Sequence, residues 1–225
     1  MTLDVLQRLR GGLITSCQAY PGEPMRHPET MAQVAESAVR GGAVGIRAQG
    51  IADISLIHER VPVPQIGLWK VGSEGVFITP TLAHAVVVAN AGAEIVAVDG
   101  TRRPRPDGLT LADTVRGFRE QSDALLMADI GSVADGLAAA EAGVDCLSTT
   151  LCGYTDERPK ADGPDLEVLA ELAATVDLPV FAEGRIHTPA QAAACRDAGA
   201  YAVVVGTAIT HPATITGWFA ASISR

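Results

Sequence analysis

The sequence has no long apolar run, and this excludes one class of protein. No stretch of about 18 residues is apolar throughout, so the sequence predicts no membrane-spanning helix. Residues 1–10 carry Asp4, Arg8 and Arg10 among their leucines, and we do not expect this segment to be a secretory signal. We expect it to form a short amphipathic helix.

Cysteine is scarce, and its spacing excludes the common metal and redox motifs. None of the four cysteines forms a Cys-x-x-Cys pair, and no zinc-type spacing with histidine occurs. No two histidines have metal-ligand spacing, so no metal site is expected. We expect buried, reduced thiols, which are typical of a cytoplasmic protein. The four cysteines are Cys17, Cys146, Cys152 and Cys195.

An excess of positive charge is also absent. The chain has 17 Lys and Arg against 26 Asp and Glu, which gives a formal net charge of −9. Such a surface repels nucleic acid and anionic membranes, so neither is an expected partner. It also repels an anionic ligand at long range. A phosphate site must therefore work through local N–H groups and helix dipoles, within a Debye length of about 8 Å.

The sequence does contain a repeat of about fifty residues. Four similar turns of small residues each precede an apolar, β-branched segment, and four further segments of the same kind lie between them. The turns are 41–44, 91–94, 142–145 and 198–201. The intervening strands are 12–17, 64–69, 124–128 and 179–182. The pattern therefore predicts eight strands.

Helix-start signals lie between these strands. The predicted helices include 28–40, 51–59 and 80–90, the last beginning at Thr79-Pro80, and two later ones begin at Gly163-Pro164-Asp165 and His211-Pro212. Thr110 with Asp113 and Ser132 with Asp135 resemble capping boxes. Regular β–α alternation implies a parallel sheet, and eight units close it into a (β/α)8 barrel. We predict one such domain over residues 1–225, with residues 1–10 covering the barrel floor.

The region most typical of a barrel site is 179–207. Two apolar strands each end in a glycine-containing loop, at Gly184 and Gly206. Between them, Thr188 and Gln191 predict a capping box. Barrels commonly bind phosphate at the loops after their seventh and eighth strands, so these two glycines indicate a phosphate site.

Polar residues end most of the predicted strands. In a closed parallel barrel they converge on one rim, which favours a polar-ligand site. Each one alone also has a structural explanation: Asp99 could cap a helix, and Arg47 could pair with an acidic neighbour. The residues are Gln18, Arg47, Lys70, Asp99, Asp129, Thr149, Thr150 and Glu183.

Three further features have two interpretations each. The basic loop 101–108 either attracts an anion or is an exposed turn. Tyr154 either lines a pocket or packs on the rim. Trp218 and Phe219 either cover a second copy of the chain in a homodimer or cap the barrel itself.

These motifs, taken together, resemble the bacterial N-acetylmannosamine-6-phosphate 2-epimerase family. The resemblance covers nearly the whole chain in order. Its motifs are 11–19, 41–48, 66–70, 78–81, 99–108, 126–130, 149–155, 182–186 and 206–210. It implies a single TIM barrel like those that bind ribulose phosphate. It also implies an epimerase of cytoplasmic amino-sugar metabolism that interconverts N-acetylmannosamine 6-phosphate and N-acetylglucosamine 6-phosphate without a cofactor.

The resemblance also implies roles for individual residues. Lys70 becomes the acid/base and Glu183 its catalytic partner. The expected substrate-binding residues are Gln18, Arg47, Asp129, Thr150 and Tyr154. The expected phosphate-binding residues are Gly184, Arg185, Gly206, Thr207 and His211.

Two departures from the family pattern concern the ligand. The family usually has Arg where this chain has His211, so Arg185 or the Arg102–Arg105 loop is expected to compensate for the lost charge. The family also continues Lys-Arg-Asp after the third strand, whereas Val71-Gly72 follow Lys70 here. The loop that follows Lys70 shapes the barrel mouth, so this departure bears on substrate preference rather than on the chemistry.

The chemistry requires an unusual lysine. Epimerisation removes the C2 proton, which lies α to the C1 aldehyde of the open-chain sugar, and returns it from the opposite face. Free lysine has a pKa of about 10.4, so the pKa of Lys70 must be lowered for it to act as a base. Burial beside Arg47 acts in that direction. The alternatives are a Schiff-base lyase or aldolase that uses Lys70, an epimerase of another phosphorylated amino sugar, and a non-catalytic phosphosugar sensor.

Overall fold

The computed structural model describes residues 2–224, with the side chains of Thr2 and Leu3 left out. Eight parallel strands form a closed barrel in sequence order, and β8 pairs with β1 to complete it. The strands are β1 (Leu13–Cys17), β2 (Gly45–Gln49), β3 (Gln65–Leu68), β4 (Ile95–Asp99), β5 (Leu125–Asp129), β6 (Cys146–Ser148), β7 (Val180–Glu183) and β8 (Ala202–Val205). The predicted (β/α)8 TIM barrel is confirmed.

Helices separate the strands and cover the barrel from outside. They are α1 (Thr2–Leu9), α2 (Pro28–Arg40), α3 (Ile51–Arg60), α4 (Leu82–Asn90), α5 (Leu111–Arg119), α6 (Val133–Glu141), α7 (Leu166–Thr175), α8 (Pro189–Asp197), α9 (Thr207–Thr210) and α10 (Pro212–Ile223). A 3-10 turn, Thr149–Leu151, follows β6. Two of the helices therefore follow the eighth strand.

Alternating side chains of the strands fill the inside of the barrel. Ile14, Ile66 and Ile95 belong to an inner cluster of buried side chains that also contains Leu9 of α1. Leu9 is fully buried, and its side chain occupies the space beside Gly45. Helix α1 thus contacts the amino-terminal end of the barrel, and Met1, the first residue of the expected floor helix, lies outside the described residues.

The other face of each strand packs against the helices. A second and larger cluster contains Ile46, Val96 and Val98 together with buried residues of α2 to α7, such as Met31 and Phe118. Apolar burial on both faces is why the strands contain nearly continuous runs of apolar residues. Polar side chains can therefore gather only at the strand ends, where the loops begin.

The predicted helix starts are confirmed in most cases. Thr110 and Asp113 form a reciprocal capping box, and so do Thr188 and Gln191. The predicted start at Thr79-Pro80 is wrong: α4 begins at Leu82, and Thr81 caps it by accepting from the His84 N–H.

Thr79 has a different structural role. It has a φ of 43°, and its hydroxyl accepts from the Trp69 N–H at 3.0 Å. Its own N–H donates to the Trp69 carbonyl at 2.8 Å. These two bonds to Trp69 hold the segment that carries Lys70. Because Thr79 makes them, it does not cap or begin helix α4.

The capping box predicted at Ser132 is only half formed. The Ser132 hydroxyl accepts from the Asp135 N–H at 3.2 Å. The Asp135 carboxylate does not return to Ser132; it accepts from the backbone and side chain of Arg102 at 3.1 and 3.0 Å. A long-range ion pair therefore replaces the local bond.

Among the described residues, no helix has the length and apolar character needed to cross a membrane.

Candidate active site

A cavity of about 630 Å³ opens at the carboxyl ends of the strands. Eleven of the twelve expected site residues line it, and the twelfth, Asp129, lies directly behind. The eleven are Gln18, Arg47, Lys70, Thr150, Tyr154, Glu183, Gly184, Arg185, Gly206, Thr207 and His211. They come from six different strand ends, so barrel closure brings them together.

Arg47 is the centre of a buried charge network. It lies on β2 and is 1% exposed. Its guanidinium donates to both carboxylate oxygens of Asp129, and its Nη1 lies 3.0 Å from Glu183 Oε2. Burial alone lowers the pKa of Arg47, but the two carboxylates outweigh that effect and raise it, so the guanidinium stays charged.

Asp129 supports this network without reaching the cavity. It ends β5 and is fully buried. The Thr150 hydroxyl lies 2.8 Å from Asp129 Oδ1 and 3.1 Å from Glu183 Oε2, so it bridges the two carboxylates. The structure therefore places Asp129 behind Arg47, whereas the expected role was direct contact with a sugar.

Glu183 ends β7 and faces the cavity. Burial raises its pKa, and the negative charge of Asp129 raises it further, while Arg47, the Thr150 hydroxyl and Lys70 oppose this change. Its backbone N–H donates to the Thr149 hydroxyl at 3.0 Å. Thr149 therefore fixes the end of β7, and it does not line the cavity as the rim pattern predicts.

Lys70 follows β3 and is held at the mouth by a short bridge. Its backbone pairs with Ile78, and the Val71 N–H donates to the Phe77 carbonyl at 2.9 Å. Burial lowers the pKa of Lys70, and the charge of Arg47 lowers it further. Glu183 and Asp129 act in the opposite direction but are outweighed. The amine lies 5.3 Å from the centroid of the Tyr20 ring.

The loops after β7 and β8 form the other end of the cavity. Gly184 has a φ of 107° and Arg185 one of 54°, so the chain turns sharply after Glu183. Beyond β8, a Cβ on Gly206 would lie 3.3 Å from Ser16 Cβ, and glycine permits this close approach. His211 is 5% exposed and lines the same end.

The guanidinium of Arg185 is largely committed to the protein itself. Its Nε donates to the Gly163 carbonyl at 2.9 Å, and its Nη1 donates to the Cys152 carbonyl at 2.7 Å. It also lies 5.1 Å from the centroid of the Tyr154 ring. Arg185 therefore anchors the loop that follows β6, and it contributes positive charge to the cavity wall.

The basic loop at Arg102–Arg105 does not supply charge to the cavity. Arg102 binds Asp135 and Glu157, and Arg103 pairs with Asp99 at 2.7 Å. The expectation that this loop compensates for His211 is therefore wrong. Asp99 likewise lies outside the cavity, where it accepts from Thr101 and Arg103.

Several residues that line the cavity were not among the sequence candidates, and Tyr20 and Arg26 are two with large polar side chains. Tyr20 and Arg26 both lie in the loop between β1 and α2 and line the cavity. Tyr20 packs against His211 with ring centroids 5.0 Å apart. The length of that loop, at the carboxyl end of a strand, was the available signal. Its residue types alone did not separate a cavity wall from a solvated turn.

The comparisons with known proteins agree with this geometry. A family profile described as "Putative N-acetylmannosamine-6-phosphate epimerase" matches residues 31–225. A relative from Cutibacterium acnes is 61% identical over 217 residues, which cover 96% of this chain and 95% of that protein. Another relative, from Caldanaerobacter subterraneus, is 47% identical over 228 residues, which cover 100% of this chain and 96% of that protein. Both carry the name "Putative N-acetylmannosamine-6-phosphate 2-epimerase".

Solved structures give the same result. The N-acetylmannosamine-6-phosphate 2-epimerase from Clostridium perfringens superposes with a TM-score of 0.93 at 40% identity, over 97% of this chain and 96% of that one. Thiamine phosphate pyrophosphorylase from Pyrococcus furiosus, at 15% identity and a TM-score of 0.59, shares the fold over 89% of this chain and 88% of its own. The resemblance in the motifs is confirmed, and the chain belongs to the N-acetylmannosamine-6-phosphate 2-epimerase family.

Proposed function

We propose that this chain interconverts N-acetyl-D-mannosamine 6-phosphate and N-acetyl-D-glucosamine 6-phosphate by moving the proton at C2 of the open-chain sugar. The observation that carries the proposal is a lysine of lowered pKa in the same cavity as a buried carboxyl–guanidinium network and a glycine-lined loop pair. The two sugars differ only in configuration at C2. A single proton removed from one face and returned to the other therefore completes the reaction.

Lys70 is the group that takes the proton. A base must be neutral to accept it, and the lowered pKa of Lys70 increases the neutral fraction near neutral pH. Glu183 is its catalytic partner, because a carboxyl group whose pKa is raised can hold or release a proton closer to neutral pH. Acid–base catalysis of this kind contributes roughly 100- to 10,000-fold.

Arg47 stabilises the negative charge that forms on the oxygen at C1. Its Nε is buried and has no hydrogen-bond partner among residues 2–224, so this donor remains for a ligand. The guanidinium is already held by Asp129 and Glu183, and a donor fixed in advance needs little reorganisation during the reaction. Asp129 therefore acts as a positioning residue for Arg47.

Gln18 has a free acceptor for the sugar. Its Nε2 donates to the Ser16 hydroxyl at 2.8 Å, and its Oε1 is buried without a partner in the described part of the chain. An amide oxygen of this kind accepts from an N–H or hydroxyl of the substrate. Thr150 and Tyr154 line the same region of the cavity and complete the sugar contacts.

The phosphate binds at the opposite end, against Gly184, Arg185, Gly206, Thr207 and His211. The first N–H groups of a helix have no intrahelical partner. In α9 the N–H groups of Ile209 and Thr210 donate to the Gly206 carbonyl, which leaves those of Thr207 and Ala208 for phosphate oxygens. Arg185 contributes charge from the cavity wall. Holding the phosphate fixes C2 relative to Lys70, which replaces a diffusional encounter by an oriented one.

Proton NMR in heavy water tests the reaction directly. The protein is incubated with N-acetylmannosamine 6-phosphate, and we expect the signals of N-acetylglucosamine 6-phosphate to appear with deuterium at C2. Binding without exchange indicates a sensor and overturns the proposal. Cleavage products, or a Lys70 adduct trapped by borohydride, indicate a lyase and overturn it as well. Faster conversion of another phosphorylated amino sugar overturns the substrate assignment alone.

Two coarser features complete the proposal. None of the twelve residues of α10 is buried, and Phe219 and Ile223 are 70% and 82% exposed, which supports a homodimer that covers this helix. All four cysteines are buried and free, which supports the cytoplasm as the location.

A further inference from the structure

A histidine–carboxylate pair lies at the phosphate end of the cavity. The Nδ1 atom of His211 is 3.5 Å from Glu23 Oε1. Tyr20 packs on the imidazole, with the two ring centroids 5.0 Å apart. The histidine is almost fully buried, so it meets solvent mainly through the cavity. Lys70 and Glu183 carry the C2 chemistry proposed above, which leaves this imidazole available for another role.

Glu23 is held in place by the backbone. Its second oxygen, Oε2, accepts from the Tyr20 N–H at 2.6 Å. The same loop thus supplies both the carboxylate and the ring that enclose His211. With Nδ1 directed to Glu23, the nitrogen left for a ligand is Nε2, and its role depends on whether it carries a proton.

We propose, on the basis of the function above, that His211 takes up one proton when the substrate phosphate binds. The neutral imidazole with its hydrogen on Nδ1 presents only a lone pair at Nε2, which repels a phosphate oxygen. Uptake of one proton from solvent at Nε2 converts it into a donor and adds one positive charge. Glu23 stabilises the resulting imidazolium from the other side. Substrate affinity is therefore coupled to pH through His211.

Several charged and titratable groups face the same cavity as His211. From the β1–α2 loop, Glu23 and Tyr20 face it and Arg26 lines the same cavity. From the β7–α8 loop come Arg185 and His187. Lys70 and Glu183 face the cavity from β3 and β7.

Arginines keep their charge throughout this range. The pKa of His187 is lowered by burial and by Arg185, so that histidine stays neutral near pH 7. The substrate phosphate, with a second pKa of about 6, is already dianionic at pH 7.5. The groups left to accept a proton at pH 7.5 are His211, Lys70 and Glu183. Loss of the uptake in His211→Arg assigns it to His211, and uptake that persists there assigns it to Lys70 or Glu183.

Titration calorimetry measures the uptake. N-acetylglucosamine 6-phosphate is bound to the protein at pH 7.5 in two buffers of different ionisation enthalpy, and the difference in heat gives the number of protons taken up. We expect between one half and one proton for the parent. We expect close to zero for His211→Arg, whose charge is permanent. The matched control is His27→Gln, which changes an exposed histidine outside the cavity and is expected to match the parent.

The outcomes separate this inference from the proposed function. Uptake near zero in the parent overturns the inference, and so does uptake that persists in His211→Arg. Neither result bears on epimerisation, which the exchange of the C2 proton reports separately. Conversely, uptake without any exchange at C2 supports the proton coupling and rejects the enzyme assignment.

Glu23→Gln provides a second test if His211→Arg does not fold. Without the carboxylate, the imidazolium loses its partner, so we expect KM at pH 7.5 to rise about fivefold to tenfold. The chemical step does not use Glu23, and kcat is expected to change less than twofold. If the KM of Glu23→Gln equals that of the parent at every pH from 6 to 8, a positioning role for Glu23 is contradicted. A fall in kcat without a rise in KM contradicts it too.

Discussion

At the scale of single residues, the ionisation of Lys70 determines whether the chemistry is available. Burial removes water from its amine and Arg47 adds a repelling charge, and both effects favour the neutral form. The carboxylates of Glu183 and Asp129 favour the charged form, so the net lowering is a balance between opposing neighbours. A change in one neighbour therefore shifts the pKa of Lys70 in a direction that can be stated in advance.

The chain offers a direct measurement of this pKa, because it has only two lysines, Lys70 and Lys160. In protein labelled with ¹³C at lysine Cε, NMR shows two signals, and Lys160→Arg assigns them. We expect Lys70 to titrate below the ordinary lysine value of about 10.4. In Glu183→Gln it is expected to titrate lower still, since a charge that favours the ammonium is removed. Titration of Lys70 at or above the ordinary value contradicts the proposed base.

Removing the reacting groups tests their roles. We expect Lys70→Met and Glu183→Ala each to lose at least about 100-fold in kcat, because each removes a group that acts in proton transfer. Circular dichroism checks that both variants remain folded. The control is Lys160→Arg, which changes an exposed lysine that does not line the cavity and keeps a positive charge beside the Tyr154 ring, and it is expected to retain the parent rate. A rate within tenfold of the parent for either site variant rejects its assignment.

The sequence predicts which residues lie at the strand ends, but it does not predict which of them line the cavity and which form ion pairs elsewhere. Lys70, Arg47 and Glu183 were identified because strand ends in a closed barrel must converge. Asp99 has the same sequence signal, yet it pairs with Arg103 outside the cavity. The partners of Asp99 lie two and four residues further along the chain, whereas those of Arg47 come from β5 and β7. A strand-end pattern encodes neither kind of partner.

At the scale of the elements, local signals predicted structure well where the partners are close in sequence. The capping boxes at Thr110 and Thr188 depend on a residue three positions away, and both form. The start predicted at Thr79 is wrong, and only the Ser132 half of the box predicted at Ser132 forms. In both cases a side chain that could have capped the helix bonds to a distant segment. A helix start is thus predictable when nothing else in the fold needs its capping side chain.

Gly67 lets strand β3 pack closely against the residues outside the barrel. A Cβ at this position would lie 2.6 Å from Ala93 Cβ and 2.9 Å from Val88 Cγ1. We expect Gly67→Ala to destabilise the protein by about 1–3 kcal/mol, because a packed wall must move. The measurement is the free energy of unfolding from urea denaturation.

Gly217 provides the matched control for that substitution. It lies inside α10, and a Cβ there meets nothing within 4 Å. Alanine should stabilise this exposed helical position by about 0.5–1 kcal/mol, since glycine loses more conformational entropy on folding. Equal effects of Gly67→Ala and Gly217→Ala would mean that packing at β3 does not limit stability.

At the scale of the whole molecule, net charge and local charge have opposite signs. The chain carries −9, yet among the described residues the cavity lining has three arginines, Arg26, Arg47 and Arg185, against the single carboxylate of Glu183. Surface repulsion is screened beyond about 8 Å, whereas charges inside a partly enclosed cavity are screened much less. An anionic sugar is therefore attracted only once it reaches the mouth. The composition predicts the long-range repulsion. It does not predict the positive charge of the cavity, which arises because the closed barrel brings basic side chains from separate strands together.

The exposed apolar face of α10 leads to a prediction about assembly. Phe219 and Ile223 project from a helix with no buried residue, whereas Trp218 contacts His187 with ring centroids 4.8 Å apart. We expect sedimentation velocity at micromolar concentration to give twice the chain mass of 23.3 kDa. The double variant Phe219→Ser with Ile223→Ser should sediment at 23.3 kDa, because it removes the surface that a second copy would cover.

The control for that variant is Leu137→Ser, which replaces an exposed apolar residue on α6 rather than on α10. This variant should still sediment at twice the chain mass. A parent that sediments at 23.3 kDa across this concentration range contradicts the homodimer. A double variant that keeps the doubled mass places the interface elsewhere on the barrel. If the mass halves while C2 exchange continues at the parent rate, each barrel contains a complete site, as expected from a cavity whose eleven predicted residues come from one chain.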